Sequence, residues 1–174
     1  MSEWKSWGKS LFIAIGVTIT VRTFFFTPYI VEGSSMEPTL HNQEKIFVEK
    51  MPWNDHFNRG EIVIIDGKEE FYVKRIIGLP GDLILMKNDQ LFVNGVQTKE
   101  PYLTENRKEA MQIGNRLTGD FGPITVPENH FFVMGDNRLY SMDSRNGLGF
   151  IKKEDIVGHS QFVFFPFTDI RNTK

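Results

Sequence analysis

The sequence has no cysteine, only four histidines and no excess of basic residues, and each of these absences excludes a class of protein. Without cysteine there can be no disulfide scaffold, zinc ribbon, iron–sulfur site or thiol catalysis. The histidines at positions 41, 56, 130 and 159 show no i, i+3 or i, i+4 pairing, so we expect neither a metal site nor a cofactor. With 20 basic and 22 acidic residues, a nucleic-acid partner is not expected either.

The chain has enough apolar residues to fold around a core. It has 174 residues, of which 40% are hydrophobic, and it contains 16 phenylalanines. These values favour one folded domain with a short appendage and argue against disorder.

The N-terminal segment carries an uncharged stretch, LFIAIGVTITV, at residues 11–21. The 20 residues from Trp7 to Phe26 would form a helix about 30 Å long, the thickness of a bilayer core. We therefore expect a cytoplasmic tail and single transmembrane anchor over residues 1–27, with Lys5 and Lys9 keeping the N-terminus in the cytoplasm.

This segment has two alternative interpretations. A cleavable signal peptide also begins with basic residues before an apolar stretch, but the bulky TPYIVEG that follows lacks a small-x-small site. A buried amphipathic helix is disfavoured because the apolar residues are spread evenly around the helix.

After Pro28 the apolar pattern has a period of two, which predicts an extracytoplasmic β domain over residues 28–174. Asn94-Gly95 predicts a two-residue hairpin, and Pro166 predicts that the last strand lies at a sheet edge. The predicted fold is mostly β, an antiparallel barrel-like assembly after a single membrane helix. Strands are predicted over 45–50, 61–66, 70–78, 82–87, 90–98, 130–137 and 161–167, with weak helical candidates at 105–112 and 152–156.

The polar stretch over residues 88–127 is predicted to be a small excursion from the core sheet. Its composition indicates nothing further about function.

Chemistry is concentrated in three stretches, of which the first is GSSMEPT at residues 33–39. A serine in a turn bounded by glycine and proline can expose its hydroxyl beside backbone N–H groups, as an oxyanion hole requires. An ordinary Ser-Ser turn before proline is the alternative.

The second stretch is YVKRIIG at residues 72–78, which places Lys74 in an apolar strand. A buried lysine loses its charge more readily, and the neutral amine can serve as a general base. The alternative is an exposed lysine on a strand.

The third stretch is MGDNRLYSMDSR at residues 134–145, a run of turn formers, carboxylates and arginines that ends a strand. Such a loop either stabilises itself through local hydrogen bonds or holds a site nearby. If the chain is an enzyme, Ser–Lys is the nucleophile–base pair that it offers.

Taken together and in this order, the three stretches closely resemble those of the bacterial type I signal peptidases, in the Gram-positive, Bacillus-like form. GSSMEPTL resembles the nucleophile box, KRIIGLPGD the general-base box and GDNRLYSMDSR the C-terminal box. The resemblance implies that Ser35 is the nucleophile and Lys74 the general base. It also implies that Ser141 orients the Lys74 amine and that Asp143 and Arg145 form a supporting ion pair.

One position departs from the family's Gram-negative pattern. A serine two residues before the nucleophile supplies the second oxyanion donor there, whereas this chain has Gly33. Either a backbone group or a water replaces that donor, or the oxyanion hole is weaker. The neighbours of the dyad are expected to form shallow apolar pockets for small side chains: Tyr29, Ile30, Val31, Met36 and Val73.

The resemblance implies a membrane-bound serine endopeptidase that cuts secretory preproteins after Ala-x-Ala through an acyl-enzyme. Membrane lipid and the secretion translocon are further expected partners. Three alternatives remain: a catalytically inactive membrane-tethered β domain that binds secretion partners, a specialised conjugation-type maturation protease, and a self-cleaving repressor, which would need a DNA-binding N-terminus.

Overall fold

The computed structural model describes residues 3–24, 26–50 and 56–173, and antiparallel β-strands form most of it. Within these ranges, the α-helices are α1 (Glu3–Phe24) and α2 (Thr104–Gln112). The strands are β1 (Phe26–Ile30), β2 (Lys45–Glu49), β3 (Ile62–Asp66), β4 (Phe71–Gly78), β5 (Leu83–Lys87), β6 (Gln90–Val93), β7 (Val96–Thr98), β8 (Phe121–Thr125), β9 (His130–Met134), β10 (Ile151–Lys152), β11 (Ile156–Phe165) and β12 (Arg171–Asn172). Short 3-10 turns lie at Pro101–Leu103, Lys153–Asp155 and Phe167–Asp169.

The strands form two sheets. The larger has the order β1-β2-β11-β3-β4-β9-β10, with β12 paired to β11, and the smaller has the order β7-β6-β5-β8. Each described pairing is antiparallel. The predicted mostly β, antiparallel body therefore fits the structure.

The core lies on the larger sheet and continues to the smaller one. Residues 62–65 of β3 are all buried, because this strand is covered on both faces, whereas buried and half-buried residues alternate along β2. One apolar cluster lies beneath the 33–40 loop and contains Val31, Met36 and Leu40. These buried side chains anchor both sides of the loop that carries GSSMEPT (residues 33–39), the first of the three motifs.

The period-two stretches correspond to strands whose ends differ from the prediction by a few residues. Val93 pairs with Val96 across Asn94 and Gly95, which both have positive φ, so the hairpin prediction is confirmed. The edge prediction from Pro166 is wrong, since β11 lies between β2 and β3 and ends at Phe165. The proline follows the ladder and removes none of its hydrogen bonds.

The predicted transmembrane anchor is wrong. Among the described residues, we find no helix with the length and apolar character needed to cross a membrane. Although α1 has 22 residues, Gly8, Lys9, Ser10 and Gly16 interrupt its apolar side chains and lower the mean hydropathy. Phe25, which the predicted span included, lies outside the described residues.

Residues 88–127, the predicted excursion, supply β6, β7, β8 and α2. The three strands join β5 in the smaller sheet, and α2 packs through Ala110 in a small cluster with Leu103 and Leu117. The division of the chain into domains at residues 27 and 28 stays a prediction.

Candidate active site

The first motif forms the loop between β1 and β2, and its backbone is held on both sides. Gly33 has a φ of +83°, a conformation that glycine adopts without strain. After it, Glu37 N–H donates to Ser34 O (3.1 Å) and Leu40 N–H to Met36 O (3.0 Å). Met36 is buried in the core, so the turn presents the half-buried Ser35 toward the neighbouring strand β4.

Lys74 reaches Ser35 from β4, although the two residues are 39 positions apart. Its Nζ lies 2.7 Å from Ser35 Oγ and donates to Val73 O at 3.1 Å. The lysine is only 3% exposed. Burial lowers the pKa of Lys74 to about 8, although Asp143, Asp136 and Glu70 act in the opposite direction. A substantial fraction of the amine is therefore neutral in mildly alkaline solution.

The third motif lies against the serine loop. Asn137 donates its backbone N–H to Ser35 O (3.0 Å) and its side-chain amide to Ser34 O (3.1 Å). A Cβ at Gly135 would collide with Ser35 O and with Ser141 Oγ, so this close approach requires glycine.

Asp143 and Arg145 form the ion pair that the sequence predicts. Arg145 donates from Nε to Asp143 Oδ1 and from Nη2 to Asp143 Oδ2, both at 2.8 Å. Burial acts to raise the pKa of Asp143, but Arg145 and the N–H of Gly135 hold it below its ordinary value. The carboxylate remains charged and fixes the loop that carries Ser141.

Ser141 does not make the hydrogen bond to Lys74 that the family resemblance implies. Ser141 is 2% exposed, and its Oγ has no hydrogen-bond partner among the described residues. Leaving a buried hydroxyl unpaired costs about 1–3 kcal/mol, which makes this atom a candidate for a bond formed during the reaction.

Sequence reasoning missed the buried ion pair of Arg75 with Asp136. Arg75 follows Lys74 on β4, and its guanidinium donates to both Asp136 oxygens, at 2.9 and 2.6 Å. Thr39 Oγ1 donates to the same carboxylate at 2.5 Å. An arginine inside an apolar strand was the available signal, because such a charge needs a partner.

A groove of about 730 Å³ opens beside Ser35 and Lys74. It separates residues of β1 and its following loop from residues 69–74 of the β3–β4 hairpin. The lining residues are Pro28, Tyr29, Ile30, Glu32, Gly33, Ser34, Ser35, Glu69, Glu70, Phe71, Tyr72, Val73, Lys74, Tyr140 and Met142.

The predicted pocket residues divide into two groups. Tyr29, Ile30 and Val73 line the groove, whereas Val31 and Met36 belong to the core cluster beneath it. Tyr140 and Met142 also line it but were not predicted to do so. Within the described ranges, no group of three or more His, Asp or Glu side chains could hold a metal ion.

Comparison with known proteins shows the family. A family model described as signal peptidase, peptidase S26, matches residues 4–165. The chain belongs to the type I signal peptidases. A signal peptidase I of Bacillus licheniformis is 58% identical, with 96% of this chain and 91% of that protein covered. The signal peptidase I S of Bacillus subtilis is 54% identical, with 96% and 92% covered.

A solved structure is similar as well. The crystal structure of a signal peptidase I from Enterococcus faecalis matches with a TM-score of 0.55 and 33% identity, covering 60% of this chain and 96% of that one. As a type I signal peptidase, this protein is a serine endopeptidase that removes signal peptides from secreted preproteins. Signal peptidases I are in general membrane-associated.

Proposed function

We propose that this signal peptidase cleaves preproteins with Ser35 as nucleophile and Lys74 as general base. The observation that carries the assignment is the 2.7 Å separation of Lys74 Nζ and Ser35 Oγ in a site where the lysine is buried. A neutral amine has a lone pair that can accept the Ser35 proton while Oγ attacks the scissile carbonyl. The burial that lowers the pKa of Lys74 is what makes the neutral form accessible.

The reaction then proceeds in two steps. Oγ attack forms a tetrahedral intermediate; its collapse breaks the peptide C–N bond, and the Lys74 ammonium returns the proton to the leaving amine. The signal peptide remains bound to Ser35 as an ester. Lys74, neutral again, removes a proton from a water that attacks this ester. The ester C–O bond then breaks, the Lys74 ammonium returns the proton to Ser35 Oγ, and the signal peptide leaves with a new carboxyl group.

Ser141 has a place in this cycle. Neutral Lys74 has two N–H donors, and protonation adds a third. We assign the unpartnered Ser141 hydroxyl as the acceptor for that additional donor, with Asp143 and Arg145 holding its loop in place.

The oxyanion hole is assigned to the Ser35 backbone N–H, which donates to no acceptor among the described residues. Gly33 offers no side chain for a second donor, and the space around its Cβ position is open. A second backbone N–H or a water would supply the missing bond.

The groove suits an extended peptide. Strand β4 pairs with β9 only from Arg75 onward, which leaves one edge of residues 71–74 unpaired. Strand β1 pairs with β2 along one edge, and its other edge faces the groove. A substrate strand between these edges would gain main-chain hydrogen bonds. Its alternate side chains would meet Tyr29, Ile30 and Val73, consistent with small residues in an Ala-x-Ala site.

The same proposal places the catalytic domain on the extracytoplasmic side, where secreted preproteins emerge, with membrane lipid and the secretion translocon as neighbours. Its support is the substrate class of the family.

Mass spectrometry of a secretory preprotein, incubated in detergent with the full chain, tests the assignment. We expect a single cut after Ala-x-Ala by the wild type and by Ser34→Ala, and none by Ser35→Ala or Lys74→Ala. Cleavage by Ser35→Ala but not by Ser34→Ala would move the nucleophile to Ser34. Full activity of Lys74→Ala would show that Lys74 is not the general base.

A further inference from the structure

Residues 100–106, which we call the strap, lead from β7 into α2 and lie against the 33–40 and 135–145 loops. They fall within the stretch whose composition indicated no function. Glu100, Leu103 and Asn106 are buried at 3%, 0% and 9% exposure, so this connection is packed into the domain.

The Asn106 amide joins the two catalytic loops. Its Nδ2 donates to Glu37 O (2.9 Å), two residues after the nucleophile, and to Asp136 O (2.8 Å), next to Asn137. Each N–H of one amide group therefore binds one loop. The two acceptors are backbone carbonyls, so the bonds determine main-chain position.

These two loops meet at the nucleophile itself. Asn137 N–H donates to Ser35 O (3.0 Å), and a Cβ at Gly135 would collide with that oxygen. A shift of one loop relative to the other would therefore change the position of Ser35 relative to Lys74, which lies on strand β4.

The other end of the strap is held by charge. Arg138, 2% exposed, donates to Glu100 (2.6 Å) and to Gly135 O (2.9 Å). The centroid of the Tyr102 ring lies 4.0 Å from the guanidinium carbon of Arg75. Burial by itself lowers the pKa of Arg138, but Glu100 raises it above its ordinary value, so this attachment stays charged. The strap is thus held in place at Glu100, which precedes Asn106 in the chain.

We propose that Asn106 is a positioning residue, which sets the attack geometry of Ser35 by joining the 35–37 and 135–137 loops through one amide group. The proposal rests on the assignment of Ser35 and Lys74 above. It adds a contribution from the strap, which lies outside the three motifs.

Steady-state cleavage of a synthetic peptide with an Ala-x-Ala site tests this proposal, using the full chain in detergent. Asn106→Ala and the similarly sized Asn106→Leu both remove the donors. We expect each to lower kcat by about 10- to 100-fold with KM within about twofold of wild type, because the groove is unaltered. The pH midpoint should stay near that of wild type, because Lys74 remains buried.

Asn115→Ala is the matched control, since it removes an exposed amide from the turn after α2. All variants are compared at a temperature at which circular dichroism shows them folded. A kcat for both Asn106 variants equal to that of Asn115→Ala would overturn the proposal. So would a raised KM with unchanged kcat, or loss of the folded state in both variants even at low temperature, since Asn106 would then be structural only.

Ser35→Ala and Lys74→Ala in the same assay separate the two proposals. If both are inactive while Asn106→Ala has wild-type kcat, the role of Asn106 fails and the dyad stands. If Ser35→Ala still cleaves the peptide, the dyad fails, and the positioning role that depends on it fails with it.

Discussion

Arg75 and Asp136 form a two-pronged ion pair between strand β4 and the 135–145 loop, with N–O distances of 2.9 and 2.6 Å. Their side chains are 4% and 0% exposed. Because Arg75 follows Lys74 and Thr39 donates to Asp136, this pair connects the strand of Lys74 to the loop of Ser35.

Replacing Asp136 should destabilise the domain strongly. In Asp136→Asn the shape is kept but Arg75 is left as an uncompensated buried charge, which typically costs roughly 3 to 5 kcal/mol. Urea denaturation measures the change in unfolding free energy. The control is Lys108→Ala, which breaks a pair with both side chains 63% exposed and should cost less than about 0.5 kcal/mol. Equal effects would contradict a structural role for the buried pair.

Cleavage should depend on pH through Lys74. Because burial lowers the pKa of Lys74 to about 8, the neutral base is scarce at lower pH. We expect kcat/KM to fall roughly tenfold per pH unit well below pH 8 and to level off above it. A pH–rate profile with the synthetic peptide measures this. A flat profile from pH 6 to about 9 would exclude a lysine base with this pKa.

The burial of Lys74 should lower the stability of the folded chain at neutral pH. The pKa of Lys74 falls from 10.5 to about 8. This fall corresponds to a penalty of about 3 kcal/mol on the charged lysine in the folded state at pH 7. Lys74→Met should therefore raise the unfolding free energy at pH 7 by up to about that amount and abolish cleavage. Between the two pKa values the unfolded chain binds more protons, so wild-type stability should rise with pH there.

The comparison for that prediction is Lys108→Met, a substitution at an exposed lysine, which should change stability by less than about 0.5 kcal/mol. A Lys74→Met protein less stable than wild type at pH 7 would show that the hydrogen bonds of Lys74 outweigh its desolvation.

Removing the Ser141 hydroxyl should shift the pH profile in a defined direction. If Ser141 accepts a hydrogen bond from protonated Lys74, Ser141→Ala destabilises the ammonium and lowers the pKa of Lys74 further. The midpoint of kcat/KM should then move to lower pH, and kcat at the plateau should fall by about 10- to 100-fold. An unchanged profile would show that Ser141 does not orient the base.

Gly135→Ala should impair cleavage strongly, although it adds only one methyl group. The added Cβ would collide with Ser35 O and Ser141 Oγ, so the loop would have to move away from Ser35. We expect kcat to fall by at least about 10²-fold, since displacements near 1 Å have this effect. The control is Gly8→Ala in α1, where no atom lies within 4 Å of the new Cβ. Wild-type kcat in Gly135→Ala would contradict the close approach.

Much of the fold and site follows from local patterns. The period-two runs predict most strands, and Asn94-Gly95 predicts its hairpin, because alternation and turn preference act between near neighbours. The membrane anchor was a wrong prediction of the same kind, since counting uncharged residues in α1 gave too little weight to its glycine and polar positions.

Residue type and motif order by themselves indicated the chemistry that we propose: a serine in a tight turn, a lysine in an apolar strand and a polar loop able to hold both. Only the tertiary structure decided the geometry. Ser35 and Lys74 meet across 39 positions, and Asn106 binds carbonyl groups 69 and 30 positions away. Backbone carbonyls are the same in every residue, so no sequence pattern identifies such acceptors before the chain has folded.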